Sequence, residues 1–221
     1  MNHERHSNIF NVPTYFNVGI VGAGGIGTTT ALILAKMGVV QLTVWDDDVV
    51  SDVNIPTQLH KWSENEQPKV FSLQRTLEEF SDEILFTPMQ ERITETSAFP
   101  YFDLLISAVD SITARKLIWD AIYRGEKPRW YIDARMSAEE FQMFTVSMSD
   151  KRAVHNYATL LESIDESDIP DVPCTMKATF HCSAAAAMNI GAALRNILRN
   201  EQASERVVHY IPQFMIHRFA I

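Results

Sequence analysis

The sequence FNVGIVGAGGIGTTTALILAKMG, residues 16–38, gives the strongest indication of the fold. Its first six residues are mostly apolar and predict a short buried strand, which is followed by the spacing G-x-G-x-x-G at Gly22, Gly24 and Gly27. The residues TTTALILAKM predict a helix that ends at Gly38, a candidate C-cap. A glycine loop between a strand and a helix is the context of the dinucleotide-binding fingerprint, in which the helix N-terminus donates hydrogen bonds to a phosphate.

Three consecutive aspartates follow a second apolar stretch, in LTVWDDD. Asp46 comes about 20 residues after Gly27, at the end of the second predicted strand, which is the usual place of an acid that binds a ribose. The fingerprint alone leaves open whether the ribose belongs to NAD, FAD or ATP. We expect Asp47 to face solvent.

The order of the predicted elements indicates the fold class. Strands alternate with helices in the N-terminal part, which predicts an α/β, doubly wound, Rossmann-like and mostly parallel sheet with helices on both faces and antiparallel additions in the C-terminal part. We expect a single domain over residues 1–221, with a nucleotide-binding half (1–125) and a C-terminal half (126–221). Polar residues near 149–175 are interpreted as a mobile loop or crossover. The alanine-rich stretch 182–194 predicts a helix that packs against the sheet or against a second subunit.

The composition narrows the classes of function. The 221 residues carry a net charge of -9, which argues against general binding to nucleic-acid phosphates. No apolar run reaches the length of a membrane span, and the first ten residues lack the apolar core of a signal peptide. The two cysteines, Cys174 and Cys182, lack the paired spacing of a zinc site. We therefore expect a cytoplasmic protein without zinc and without a nucleic-acid or membrane partner.

Three further stretches are more specific than the glycine loop: LTVWDDDVVSDVNIPTQLH, QPKV and SAVDSITARKLIWDA. Together with the loop they resemble the ThiF family, the adenylate-forming proteins related to the ubiquitin-activating enzymes and to the activators of molybdopterin synthase and of the thiamine sulfur carrier. The resemblance is close over residues 4–125 and loose over 126–221. It implies ATP and Mg²⁺ as cofactors, a small ubiquitin-like or sulfur-carrier protein as partner, and a homodimer or heterodimer as the working unit.

The resemblance also implies a role for each residue that matches a family motif. Asp46 would bind the ribose, and Asp48 is the second acid of the family's D-x-D. Asp110 would bind Mg²⁺ beside the α-phosphate, and Arg115 is the arginine on the helix that follows. Positive charge is needed there because negative charge moves to the leaving pyrophosphate. The residues that would line the phosphates are Gly22, Gly24, Gly25, Gly27, Asn54, Gln58 and Lys69.

Two positions depart from the family pattern. Thr57 stands where the N-x-x-R-Q stretch has its arginine, and Asn8 stands at the second arginine of the N-terminal element. Neither side chain replaces a forked, permanently charged guanidinium. Arg135, after the predicted strand in YIDARM, is a candidate to compensate by reaching the γ-phosphate or the C-terminal tail of the partner. The alternative is that Arg135 forms an ion pair with Asp133, Glu139 or Glu140.

Two cysteines and two histidines are further residues that could belong to a site. The stretch VPCTMKATFHC resembles the P-x-C-T segment of ubiquitin-activating enzymes, which implies that Cys174 accepts the activated protein as a thioester or relays sulfur. The alternative is a small buried apolar residue, which is our interpretation of Cys182. His6 and His60 are interpreted as surface histidines.

Three functions follow from these observations. The first is an ATP-dependent adenylyltransferase that activates the C-terminal carboxylate of a small ubiquitin-like or sulfur-carrier protein. The alternative is a non-catalytic nucleotide-binding or scaffold subunit that has kept the fold and lost the arginines. An NAD-dependent oxidoreductase is the weakest of the three, because it leaves Asp48, Lys69 and Asp110 without a role.

Overall fold

A continuous β-sheet of eight strands forms the centre of the protein in the computed structural model, which describes residues 3–165 and 178–221. In chain order the strands are β1 Asn17–Val21, β2 Gln41–Trp45, β3 Leu85–Met89, β4 Leu104–Ser107, β5 Trp130–Ser137, β6 Glu140–Ser147, β7 Arg206–Tyr210 and β8 Met215–Phe219. Their order in the sheet is β3-β2-β1-β4-β5-β6-β7-β8. The pairs from β3 to β5 are parallel, and those from β5 to β8 are antiparallel. This confirms the predicted fold class.

Helices cover both faces of the sheet. The described residues form the α-helices α1 Gly25–Met37, α2 Lys69–Glu78, α3 Ile112–Arg124, α4 Lys151–Ser163 and α5 Phe180–Leu198, and the short 3-10 helices Glu4–His6 and Trp62–Glu64. Side chains of α1, α2 and α5 share one apolar core, and side chains of α3 and α4 share another on the opposite face. Burial of this apolar surface is the main term that stabilises the fold.

Strand β1 and helix α1 form where the local sequence predicts them. Strand β1 is almost wholly buried, as expected for a central parallel strand. Helix α1 ends at Gly38, which has a φ of 103° and whose N–H donates to the carbonyl oxygens of Ala35 and Leu34. Glycine is favoured at such a left-handed C-terminal position because it has no Cβ. The predicted C-cap is confirmed.

Helix α5 packs against α1 through small side chains. Ala186 and Ile190 are fully buried, and a Cβ on Gly191 would lie 3.1 Å from side-chain atoms of Ile33 and Met37. Cys182 is also buried, and burial raises its pKa to about 11. The alanine-rich helix therefore packs in the core, and Cys182 is a small buried residue, as predicted; a contact with a second subunit stays a prediction.

The prediction of a loop near residues 149–175 is wrong for its first part, where α4 forms. Asp150 caps this helix, because its carboxylate accepts hydrogen bonds from the backbone N–H groups of Arg152 and Ala153. Ala153, Tyr157 and Leu161 recur every four residues and form the buried face of the helix. The many polar residues on the outer face concealed this spacing.

The two predicted halves of the chain share one sheet. Strand β4 belongs to the first half and pairs in parallel with β5 of the second, so that Leu104 faces Trp130 and Ser107 faces Asp133. Strand β1 also ends at this level, because Val21 pairs with Ser107. Residues 134–137 of β5 therefore extend beyond the carboxyl ends of β1 and β4, at the edge where doubly wound sheets bind ligands.

Candidate functional site

The glycine loop lies at the carboxyl edge of the sheet, between β1 and α1. Gly22 has a φ of 104°, and a Cβ there would lie 2.6 Å from the carbonyl oxygen of Ala108. Helix α1 begins at Gly25, and no side chain within the described part of the chain caps it at Gly24. Its first backbone N–H groups are therefore available to bind an anion such as a phosphate.

The other glycines of the loop differ in the space around them. A Cβ on Gly27 would overlap the carbonyl oxygen of Gly22, and one on Gly25 would lie 3.0 Å from the carbonyl oxygen of Thr57. A Cβ on Gly24 would meet the side-chain nitrogen of Gln58 at 3.9 Å, an ordinary contact. Close packing thus requires glycine at 25 and 27, whereas Gly24 borders open space.

Asp46 holds the glycine loop from the end of β2. Its Oδ2 accepts a hydrogen bond of 2.6 Å from the N–H of Ala23, and its Oδ1 accepts one of 2.9 Å from the N–H of Asp48. Burial raises the pKa of Asp46 above its ordinary value. Each carboxylate oxygen has a further lone pair, so the side chain can still accept hydrogen bonds from ribose hydroxyls. The role at the ribose stays a prediction.

The charges of the neighbouring acids are offset. Lys69, the first residue of α2, is largely buried, and its Nζ lies 2.7 Å from Oδ2 of the more exposed Asp48. Asp47 is exposed and pairs with Arg92 at 3.0 Å. Lys69 therefore offsets the charge of Asp48, and the prediction that Asp47 faces solvent is confirmed.

The segment after the aspartates folds back over the glycine loop. Asn54 accepts hydrogen bonds from the N–H and the hydroxyl of Ser51, at 3.3 and 2.8 Å. The hydroxyl of Thr57 donates to the carbonyl oxygen of Asn54 at 3.1 Å. The Oε1 of Gln58 is buried and has no hydrogen-bond partner among the described residues. Gln58 therefore keeps an acceptor for a ligand, whereas the hydroxyl at the position of the missing arginine is used within the turn.

His60 is not a surface histidine, which corrects the prediction. Its ring is buried, with Nε2 3.0 Å from the carbonyl oxygen of Ala23 and Nδ1 2.9 Å from the hydroxyl of Ser72. A carbonyl oxygen can only accept, so the neutral ring carries its proton on Nε2, and Nδ1 accepts from Ser72. The peptide groups on the two sides of Ala23 are thus held by His60 and Asp46.

We expect His60→Gln to lower the free energy of unfolding by about 1–3 kcal/mol, the usual cost of leaving buried polar groups without partners. Burial lowers the pKa of His60 in the folded state, whereas the pKa of an unfolded histidine is about 6.5. The unfolded chain therefore binds more protons, and the stability that neutral His60 contributes is fully present above about pH 6.5 and is lost as the pH falls below it. Urea denaturation over a pH series measures this loss.

The variant His155→Gln is the matched control, because His155 is exposed on α4. The difference in unfolding free energy between the protein and His60→Gln should shrink on acidification, while the difference from His155→Gln should stay small at every pH. A constant difference for His60→Gln would show that its protonation does not matter to the fold.

A cavity of about 390 Å³ lies beside the segment that carries Gln58 and His60. Its walls include Thr76 and Phe80 at the end of α2 and Phe180 at the start of α5. The backbone donors of α1 and the carboxylate of Asp46 lie at the glycine loop, and neither α1 nor Asp46 lines this cavity. We therefore place the candidate nucleotide site at the loop.

Asp110 precedes α3 and Arg115 lies near its start, and the two side chains differ in exposure. Asp110 is exposed in the loop after β4. Arg115 is buried and points toward the core, where it donates to the Asp133 carboxylate and to the carbonyl oxygen of Val109. Arg115 thus holds the loop that carries Asp110, which gives it a structural contact in addition to its predicted role at the phosphates.

Arg135 forms the ion pair that the sequence left as the alternative. Its Nε donates to Oδ2 of Asp133 at 2.7 Å, and its guanidinium lies over the ring of Phe144. Tyr157 of α4 donates to the same oxygen at 2.9 Å. Tyr157 was missed, and Asp133 was expected only as a possible ion-pair partner of Arg135. The signal for Asp133 in the sequence is a charged residue inside the otherwise apolar strand WYIDA.

The fit to Mg²⁺ depends on Asp110. Within residues 3–165 and 178–221, no three His, Cys, Asp or Glu side chains come together as a group that could hold a metal ion. Mg²⁺ commonly binds through one or two carboxylates together with phosphates and water, so a single exposed Asp110 fits this mode. The binding of Mg²⁺ stays a prediction.

Cys174, the predicted thioester or sulfur-relay residue, lies outside the described residues.

Of the helices that the described residues form, none combines the length and the apolar character that crossing a membrane requires.

The fold is of the doubly wound α/β class, and its glycine loop after β1 and acid after β2 lie where proteins of this class commonly bind nucleotides. The model of the ThiF family matches residues 14–219. The chain therefore belongs to the ThiF family, which confirms the resemblance and extends it through the C-terminal half.

Curated relatives match part of the chain. The molybdopterin-synthase adenylyltransferase of Salmonella typhimurium is 33% identical over 113 residues, which are 49% of this chain and 45% of that protein. The adenylyltransferase and sulfurtransferase MOCS3 of Anopheles gambiae is 34% identical over 117 residues, which are 51% of this chain and 26% of that protein. The chain therefore spans less than half the length of these relatives.

Solved structures share the fold over most of the chain. E. coli MccB, crystallised with succinimide, superposes with a TM-score of 0.71 and 17% identity, over 93% of this chain and 63% of that one. At this identity the likeness shows the fold alone. It includes the C-terminal half, where the resemblance in sequence is loose.

Proposed function

We propose that this protein is an ATP-dependent adenylyltransferase that activates the C-terminal carboxylate of a small ubiquitin-like or sulfur-carrier protein. The observation that carries the proposal is the glycine loop, whose open helix N-terminus lies next to Asp46, with the Lys69–Asp48 pair nearby. Membership of the ThiF family and the adenylyltransferase names of its relatives support the same reaction.

In the proposed reaction, a carboxylate oxygen of the partner attacks the α-phosphorus of ATP. A new O–P bond forms, the bond between the α-phosphorus and the bridging oxygen breaks, and pyrophosphate leaves with the electron pair. Fixed donors near the phosphates lower the barrier because negative charge moves to the leaving group. The N–H groups of α1 and the ammonium of Lys69 are the donors that this chain offers, and Asp46 would orient the nucleotide through its ribose.

Asp110 would hold Mg²⁺ next to the phosphates. When bound, the ion would neutralise part of the phosphate charge and polarise the α-phosphoryl group. The loop that carries Asp110 is fixed by the bond from Arg115 to Val109, so the carboxylate is presented from a stable position.

We expect Asp46→Ala to raise the Kd for ATP at least tenfold, which corresponds to about 1.4 kcal/mol. The change removes the acceptor for the ribose and releases the N–H of Ala23, so that the loop loses an anchor.

Asp110→Ala should weaken ATP binding only when Mg²⁺ is present. Calorimetric titration with ATP, with and without Mg²⁺, measures both effects.

Asp47→Ala is the control for this pair, because Asp47 is adjacent in sequence but exposed and paired with Arg92. Its Kd for ATP should stay within about twofold of that of the unchanged protein, which corresponds to about 0.4 kcal/mol. Unchanged affinity in both Asp46→Ala and Asp110→Ala would contradict the assignment of the site.

A second candidate is a non-catalytic subunit that binds nucleotide and supports a more complete partner. Thr57 and Asn8 favour it, because both stand at arginine positions of the family pattern and Thr57 uses its hydroxyl within a turn. Release of pyrophosphate on mixing with ATP and candidate carrier proteins would support the enzyme. Binding of ATP by this protein alone, without release of pyrophosphate, would support the scaffold.

A further inference from the structure

A buried cluster of charges lies at the level where β1 and β4 end. Asp133 has no exposed side-chain surface, Arg115 has 4% exposed and Arg135 has 16%. Arg115 and Arg135 approach opposite oxygens of the one carboxylate, and Tyr157 donates to the oxygen that Arg135 uses. These four side chains, Arg115, Asp133, Arg135 and Tyr157, are called the Asp133 cluster below.

The Asp133 cluster carries one positive charge more than its described members neutralise. Two guanidiniums stay charged at any physiological pH, and one carboxylate offsets one of them. The phenol of Tyr157 adds no negative charge, because burial raises its pKa well above the ordinary value. A largely buried excess charge is costly unless an anion pairs with it.

The unused hydrogen-bonding capacity lies on Arg135. Arg115 directs one terminal nitrogen to Asp133 and the other to the carbonyl oxygen of Val109. Arg135 donates to Asp133 from Nε; its Nη2 lies 2.6 Å from the same oxygen but without hydrogen-bond geometry. This Nη2 is buried and has no hydrogen-bond partner among the residues that the structure describes.

The register of the sheet places Arg135 at the ligand edge. Asp133 pairs with Ser107, the last residue of β4, so Arg135 lies two residues beyond that strand. The rise of a strand, about 3.3 Å per residue, carries it roughly 6–7 Å past the edge. Stacking over the ring of Phe144 and the bond to Asp133 restrict the guanidinium to one orientation there.

We propose that the Asp133 cluster is a preorganised subsite for an oxyanion, in which Arg135 binds the anion and Asp133 and Arg115 hold Arg135 in place. Two sources of this chemistry meet at the carboxyl edge: the terminal phosphate of ATP and the C-terminal carboxylate of the protein to be activated. This assignment of sources rests on the proposed function, whereas the presence of an anion site does not. The subsite would supply, from within one chain, the forked positive charge of a guanidinium, which Thr57 and Asn8 lack.

The test compares Arg135→Gln and Arg135→Lys with the unchanged protein in calorimetric titrations. The probes are ATP, ADP and AMP for the phosphate, and N-acetylglycylglycine and its C-terminal amide for the carboxylate. If Arg135 binds the terminal phosphate, Arg135→Gln raises the Kd for ATP about tenfold or more and leaves ADP and AMP unchanged, as expected for one lost charged hydrogen bond. If it binds the carboxylate, the same loss occurs for the dipeptide acid and not for its amide.

Arg206→Gln is the matched control, because Arg206 lies over the same ring of Phe144 at 5.4 Å but outside the cluster. It should bind every probe as the unchanged protein does. Arg135→Lys keeps the charge without the fork of the guanidinium. Its Kd for the probe should therefore lie between those of the unchanged protein and Arg135→Gln, and this comparison holds even if the glutamine variant folds poorly. Equal losses in Arg206→Gln, or unchanged affinities in both Arg135 variants, would overturn the subsite.

The two proposals fail in different ways. If the protein binds ATP and the Arg135 variants match it with every probe, the subsite is wrong and the proposed function stands. If the protein binds no nucleotide but binds the dipeptide acid in an Arg135-dependent way, the proposed function is wrong and the anion site stands.

Discussion

Asp133→Asn is expected to lower the free energy of unfolding by about 3–5 kcal/mol, the usual cost of removing one partner from a buried ion pair. Asp133 is fully buried and accepts hydrogen bonds from Arg115, Arg135 and Tyr157. A neutral amide would leave two guanidiniums facing each other without a counter-charge. Since domains of this kind are stable by only about 5–15 kcal/mol, the loss is a large share of the total. Urea denaturation followed by tryptophan fluorescence measures it.

Tyr157→Phe is the control for this prediction. It removes one hydrogen bond to the Asp133 carboxylate and keeps the ring in the aromatic core, where it packs against Trp119 and Tyr131. We expect a loss of about 1.5–3 kcal/mol, the usual contribution of a single hydrogen bond to a charged group. Equal losses in the two variants would indicate that the charge of Asp133 is not what the cluster needs.

Gly27→Ala should destabilise the fold and abolish measurable binding of ATP. A Cβ at this position would overlap the carbonyl oxygen of Gly22, and because the obstacle is backbone, the loop itself has to move. Core overpacking of this kind usually costs about 1–3 kcal/mol, and the displaced loop would no longer present the N–H groups of α1. Thermal denaturation and titration with ATP measure the two losses separately.

Gly24→Ala offers the sharpest comparison, since it adds the same methyl group three positions before Gly27, where the space is open. Its Cβ would make one ordinary contact, with Gln58 at 3.9 Å. The fold should keep its stability, whereas ATP binding should weaken if a phosphate occupies the space in front of Gly24. Stability losses of the same size in Gly24→Ala and Gly27→Ala would refute the steric account of the loop.

The parts of the site that could be predicted are those whose chemistry is local in the sequence. The glycine loop follows from steric demands between Gly22 and Gly27, five residues apart, and Asp46 stands at a fixed distance behind it. The strands and most helices could be predicted in the same way, from periodicity and from caps such as Gly38.

The parts that could not be predicted depend on partners that are far apart in the chain. His60 is a polar residue in a polar stretch, and only its contacts with Ala23 and Ser72 reveal that it is buried. The Asp133 cluster joins residues from α3, β5 and α4, and α4 itself was predicted as a loop. Tertiary contacts override local polarity at these positions, which is why the sequence suggested either an ion pair or a ligand contact for Arg135.

The parallel pairing of β4 with β5 bears on how this molecule moves. A hydrogen-bonded ladder runs from the N-terminal half into the C-terminal half, and packed helices cover both faces of it. Two rigid lobes that open and close about a hinge need a connection that can bend, and a central buried ladder resists bending. We expect the motions of this protein to be small and confined to the rim. Under the proposed function, a partner's tail would therefore reach the nucleotide by threading along the edge of the sheet rather than by closure of two lobes around it.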